Sequence, residues 1–176
     1  MRDYEFLNDG EGNLTIIEYS GAGGLVKIPR NVPGVGKVKV IDNSAFYNHD
    51  GVRRIEVPEG VEAIESMAFY GCANLTRIKL PESLLVLGNM VFSGCRKLQK
   101  VVLPDSVTKI GNLVFEQCVS LDSVTMPRGL KSLGFAAFRG CDSLKVLNLP
   151  DDLAFHARHK NWPLGVKFQV AKEALA

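Results

Sequence analysis

Along most of this chain apolar and polar residues recur on one step of 23. Pro58, Pro81, Pro104, Pro127 and Pro150 lie on it, as do Phe46, Phe69, Phe92, Phe115 and Phe138, and Cys72, Cys95, Cys118 and Cys141. A period this strict marks one small unit copied in series. Such a unit cannot bury its own apolar face, so the copies must stack.

One copy, Leu75 to Cys95, shows the elements. Arg77 to Leu80 alternates, the period of a strand with one buried face: Ile78 and Leu80 point in, Arg77 and Lys79 point out. Pro81 lacks an N–H and ends the strand, and Glu82-Ser83 are polar turn residues. Leu84 and Leu87 return to the core, Gly88 predicts a bend, Val91 and Phe92 are again apolar, and Gly94 permits a tight return. The other copies read alike, so the core is a set of columns: Leu75/Leu98/Leu121/Leu144, Ile55/Ile78/Val101/Val124/Leu147, and the phenylalanines. The pattern predicts a β-rich repeat solenoid of about five 23-residue coils.

The ends depart from the period. Tyr4–Leu7, Asn13–Tyr19 and Leu25–Ile28 read as short strands separated by glycine-rich turns. Pro29 to Phe46 is 17 residues, against 11 from Pro58 to Phe69, so the first repeat carries a six-residue insertion around Pro33-Gly34-Val35-Gly36. At the other end Leu153 keeps its column, but His156 and Asn161 replace apolar residues. Val166–Val170 reads as a closing strand and Trp162 as a cover for the last layer. The expected organisation is a β-strand N-terminal cap over 1–37, the repeats over 38–150, and a C-terminal cap over 151–176. A truncated longer array is the alternative.

Composition adds bounds. The 176 residues are 46% hydrophobic and 23% charged, the balance of a globular protein, with a net charge of +2 from 21 basic and 19 acidic side chains. That even balance does not favour nucleic acid or an anionic membrane. No run approaches the roughly 18 apolar residues of a membrane span, and the start, Met1 to Glu5, lacks the pattern of a signal peptide. The compartment stays open on these residues.

The four cysteines invite a disulfide reading. Stacked neighbours lie about 5 Å apart, but their Cβ vectors run parallel, which is poor bridge geometry. Reduced thiols packing as a column is the expectation, with His49 in the column's first place. No close Cys or His pair has metal-ligand spacing. His156 and His159 are three apart but lack a third ligand. Gly10-Glu11-Gly12 and Gly21–Gly24 do not lie between a strand and a helix, so phosphate cradling is not expected. The serine turns lack a partner base. No cofactor and no catalysis are expected.

The recurring Leu-x-x-Ile-x-Leu-Pro-x-x-Val-x-x-Ile-Gly-x-x-Ala-Phe-x-Gly-Cys resembles the BspA-like leucine-rich repeat over roughly residues 38–153. Asp42 and Glu65 replace its glycine after the isoleucine, Gln117 replaces a glycine and His49 a cysteine, which bears on local turn geometry. The resemblance implies a leucine-rich-repeat right-handed coil, with parallel strands stacked along one face and short turns or 3-10 segments elsewhere. It implies protein binding, adhesion or host contact by a bacterial surface or secreted protein, and it carries no catalytic residues.

The outward strand positions form two rows, Arg54, Arg77, Lys100, Ser123, Val146 and Glu56, Lys79, Val102, Thr125, Asn148. Arg54, Glu56, Arg77, Lys79, Lys100, Val102, Ser123 and Thr125 are the candidate partner-binding residues. The basic group among them suits an acidic protein surface or a sulfated glycan. The plainer reading is a solvated face that keeps the strands soluble. Without aromatics in these rows, nucleic acid is not expected. A recognition module, monomeric or weakly oligomeric and not inserted in a membrane, stands beside a structural spacer of a larger surface protein or an intracellular scaffold.

Overall fold

A computed structural model describes residues 3–149 and 166–170 of the chain. Its strands are β1 (Tyr4–Asn8), β2 (Asn13–Tyr19), β3 (Gly24–Lys27), β4 (Asn31–Val32), β5 (Gly36–Ile41), β6 (Val52–Glu56), β7 (Ala63–Ile64), β8 (Arg77–Lys79), β9 (Val86–Leu87), β10 (Lys100–Val102), β11 (Lys109–Ile110), β12 (Ser123–Thr125), β13 (Ser132–Leu133), β14 (Val146–Leu149) and β15 (Lys167–Val170). The coils stack as a parallel-strand solenoid of about five turns, and no described residue is helical.

The stack has two parallel ladders. The expected one runs β3-β6-β8-β10-β12. A second runs β2-β5-β7-β9-β11-β13, with β1 antiparallel on the β2 edge and β4 antiparallel on β5. Its strands are two residues long from β7 onward. That is too short for alternation to be read from sequence. Turns, with no 3-10 segments among the described residues, form the third side. Even these turns are bonded coil to coil: Phe69 N–H donates to Val91 O (3.0 Å), and Phe92 and Phe115 donate likewise to Val114 (2.8 Å) and Ala137 (2.7 Å).

Gly88 does not make the expected bend. Its N–H extends the second ladder to Ile64 O at 2.8 Å, and a Cβ there would lie 2.6 Å from Ser66 N. The position needs the absence of a side chain because two backbones approach closely. Asp42 and Glu65, in the same column, keep the equivalent bonds at 2.8 Å to Ile16 and Ile41.

The phenylalanine column is continuous. Ring centroids from Phe46 through Phe138 are spaced 5.0, 5.6, 5.4 and 5.2 Å. Tyr19 continues it 4.8 Å below Phe46, and Tyr4 lies 4.9 Å from Tyr19. Aromatic rings thus cover the first layer, where an open core would invite association. The six-residue insertion is a hairpin: β4 turns through Pro33-Gly34 onto β5. The closing strand pairs as expected, with Val146 opposite Lys167 and Leu149 opposite Val170, in parallel. Pro150, Leu153, His156, His159, Asn161 and Trp162 lie outside the described residues.

The cysteines are free and buried. Each thiol donates to a phenylalanine carbonyl in the coil below: Cys72 to Phe46 (3.1 Å), Cys95 to Phe69 (3.2 Å), Cys118 to Phe92 (3.1 Å) and Cys141 to Phe115 (2.9 Å). The column therefore bonds to backbone instead of to itself. Burial pushes the Cys72 and Cys141 thiols up to about 12 and raises Cys95 and Cys118 as well, which suppresses the reactive thiolate. His49 takes the first place in the column and bonds Gly21 O through Nε2 at 2.8 Å.

Two columns of left-handed residues make the tight corners. One is Asn48, Gly71, Gly94, Gln117 and Gly140, which the glycines reveal in the sequence. The other is Ser44, Met67, Met90, Leu113 and Ala136, which no glycine marks. A left-handed residue with a Cβ is disfavoured by about 1–2 kcal/mol. Gln117→Gly is therefore expected to stabilise the fold by about 1 kcal/mol, read as a rise of a few degrees in melting temperature. A fall would instead show that the Gln117 side chain, which covers Gly140, outweighs the backbone strain.

Candidate binding face

In β3, β6, β8, β10 and β12 the inward residues Val26, Ile55, Ile78, Val101 and Val124 are buried. Their neighbours therefore face outward and fall into rows set by the parallel register. Arg54 pairs with Arg77, Arg77 with Lys100, and Lys100 with Ser123. Glu56 pairs with Lys79, and Val102 with Thr125. The structure brings all eight candidate residues to one face. Glu56 is half-buried and the other seven are exposed.

Two face residues escaped the sequence pattern. Leu25 pairs with Arg54 and Lys27 with Glu56, so β3 extends both rows by one coil. Lys27 Nζ lies 3.7 Å from Glu56 carboxylate. The six-residue insertion hid them. It lengthens the proline step from 23 to 29, and removing it places Ile28-Pro29 on Val57-Pro58.

Arg54, Arg77, Lys79 and Lys100 make no ion pair with another described residue. They form an unneutralised basic band across three coils. The strand exits carry the opposite charge. Glu59, Glu82 and Asp105 stack beyond the prolines, with Glu82 N–H donating to Glu59 at 3.1 Å. Arg128 closes this acidic file by donating through Nε to Asp105 at 2.7 Å, and its hydrogen bonds hold the Asp105 carboxyl below the usual carboxylate range.

The face is not uniform. β6–β8 and β10–β12 each keep three paired positions, whereas β8–β10 keeps one, Arg77 with Lys100. At the exit end Val57 N–H bonds Lys79 O and Leu103 N–H bonds Thr125 O, both at 3.0 Å. The matching bond from Leu80 to Val102 is not formed. An open hollow of about 360 Å³ lies there, lined by Arg77, Lys79, Leu80, Glu82, Val102 and Pro104, with Ile78 beneath.

Among the described residues no group of three His, Cys, Asp or Glu is placed to hold a metal ion. No described helix is long and apolar enough to cross a membrane. What the arrangement offers chemically is a rigid, charged, preformed sheet surface.

The family model for the BspA type leucine rich repeat region matches residues 39–158 in six copies. A T. pallidum leucine rich repeat protein is similar over 95% of this chain and 83% of its own, at 31% identity and a TM-score of 0.81. A Bacteroides ovatus leucine-rich repeat protein is similar at 28% identity and a TM-score of 0.70, over 89% of this chain and 44% of its own. A leucine rich cell surface protein from Faecalibacterium prausnitzii shares the fold at 23% identity and a TM-score of 0.59, over 82% of this chain and 52% of its own. No curated protein matches the sequence.

Proposed function

The chain belongs to the BspA-type leucine-rich repeat family, and from that premise we propose that it is a non-enzymatic recognition module whose outward β3–β12 face captures a protein partner. The observation that carries this reading is the band of Arg54, Arg77, Lys79 and Lys100, exposed and unpaired by any described acid. A solvated face needs charge, but mixed charge serves that purpose as well. A single-sign band attracts an acidic surface and speeds its encounter. The face is preformed, so little ordering cost is added on binding.

The cell-surface description belongs to the F. prausnitzii protein. A surface role for this chain, which that likeness supports, means a partner met outside the cell. Adhesion is the corresponding role.

Reversing two charges tests the reading. Arg77→Glu with Lys100→Glu is expected to cut partner capture by immobilised protein at least tenfold, with melting unchanged, since both side chains are exposed. Wild-type capture should weaken as salt rises, because exposed charges are screened beyond about 10 Å at 0.1 M. Capture indifferent to both would move the binding site off this face and favour a spacer role.

A further inference from the structure

We infer that the hollow between β8 and β10 takes an apolar side chain from an extended acidic peptide, with the peptide's neighbouring carboxylate held at the Arg77 end. This rests on the binding-face reading and names the partner's local chemistry.

The irregularity lies inside the ladder, between steps that are fully paired on either side. Between β8 and β10 only Arg77 and Lys100 stay paired, and the Leu80–Val102 bond, whose equivalents Ile28, Val57 and Leu103 make to Glu56, Lys79 and Thr125, is missing. The opened end leaves the Leu80 N–H and the Val102 carbonyl without their ladder partner. An incoming extended backbone carries a carbonyl and an N–H that complement these two groups.

The lining selects among acidic ligands. Its walls are Leu80, Val102 and Pro104, with Ile78 beneath. Val102 is 66% exposed, the one large aliphatic side chain in a row otherwise made of Lys27, Glu56, Lys79 and Thr125. At about 360 Å³ the hollow sits at the small end of ligand sites and admits a branched side chain. A sulfated glycan would meet the same cations but has no apolar group to fill it. Charge also sets direction. Arg77, Lys79 and Lys100 attract a carboxylate at the strand side, while Glu82 repels one at the turn side.

The test uses the whole protein, labelled with ¹⁵N and titrated with three probes. They are an acidic pentapeptide with a central leucine, the same peptide with a central alanine, and a heparin-derived oligosaccharide. The leucine peptide is expected to bind on the order of tenfold more tightly than the alanine peptide, shifting the Leu80 and Val102 amides. Val102→Trp, which fills the hollow, should erase that difference while leaving alanine-peptide binding intact. Equal binding of the two peptides, with shifts along the Arg54–Lys100 row, would overturn the hollow but leave the basic face standing. Shifts from the oligosaccharide alone would overturn it in favour of a glycan. If no probe shifts any face amide, and Arg77→Glu/Lys100→Glu leaves partner capture unchanged, the face reading falls as well.

Discussion

Phe92→Ala is expected to lower the free energy of unfolding by about 3–5 kcal/mol, measured as a shift in denaturation midpoint. Phe92 is fully buried and its ring stacks on Phe69 at 5.6 Å and on Phe115 at 5.4 Å. The cavity left behind cannot close easily. Backbone bonds hold the coils on both sides: Phe69 N–H donates to Val91 O (3.0 Å) and Phe92 N–H to Val114 O (2.8 Å). In a stack each coil leans only on its neighbours, so a defect at the middle weakens the array on both sides. Val102→Ala, on the exposed face, is the control and should stay within about 0.5 kcal/mol. A loss at Phe92 as small as the control's would mean the rings are not one packed column.

Gly23→Ala is expected to cost about 2–4 kcal/mol, from two sources that add. Gly23 has φ 90, where a Cβ is strained. That Cβ would also lie 2.2 Å from the Gly51 carbonyl carbon and 2.7 Å from Val52 N, both rigid backbone. The close approach exists because Gly24 N–H donates to Gly51 O at 2.8 Å, which seats β3 on β6. The damage should be local. Amides of Leu25 to Ile28 should lose hydrogen-exchange protection while Val101 and Val124 keep theirs. Gly24→Ala separates the two sources: Gly24 has φ 73 but open space where its Cβ would go. It should cost only the conformational part, about 1–2 kcal/mol. Equal losses at both glycines would remove the contact from the explanation.

The site was legible to the degree that it followed the period. Arg54, Arg77 and Lys100 sit one step apart, each just before a buried Ile55, Ile78 or Val101, so parity turns them outward. Leu25 and Lys27 belong to the same rows, yet a six-residue hairpin shifted them out of register. The left-handed corners divided in the same way. Gly71, Gly94 and Gly140 announce one column, whereas Met67, Met90 and Leu113 adopt the other with side chains that carry no such signal. The surrounding coils impose that conformation, and no local propensity predicts it.

The repeat architecture, the buried columns and the outward rows were all present in the order of residues, because a 23-residue unit has one way to bury its apolar positions: against its own copies. Three things waited for the stack. The thiols chose phenylalanine carbonyls over one another, since those acceptors come from the coil below. Gly88 proved to be a contact, because its neighbour, Ser66 N, lies 22 residues earlier in the chain. The ladder loosened between β8 and β10, where Leu80 resembles its counterparts Val57 and Leu103 and nothing in the local sequence marks a lost bond. Each depends on distances between residues far apart in sequence, and those exist only once the coils are in place.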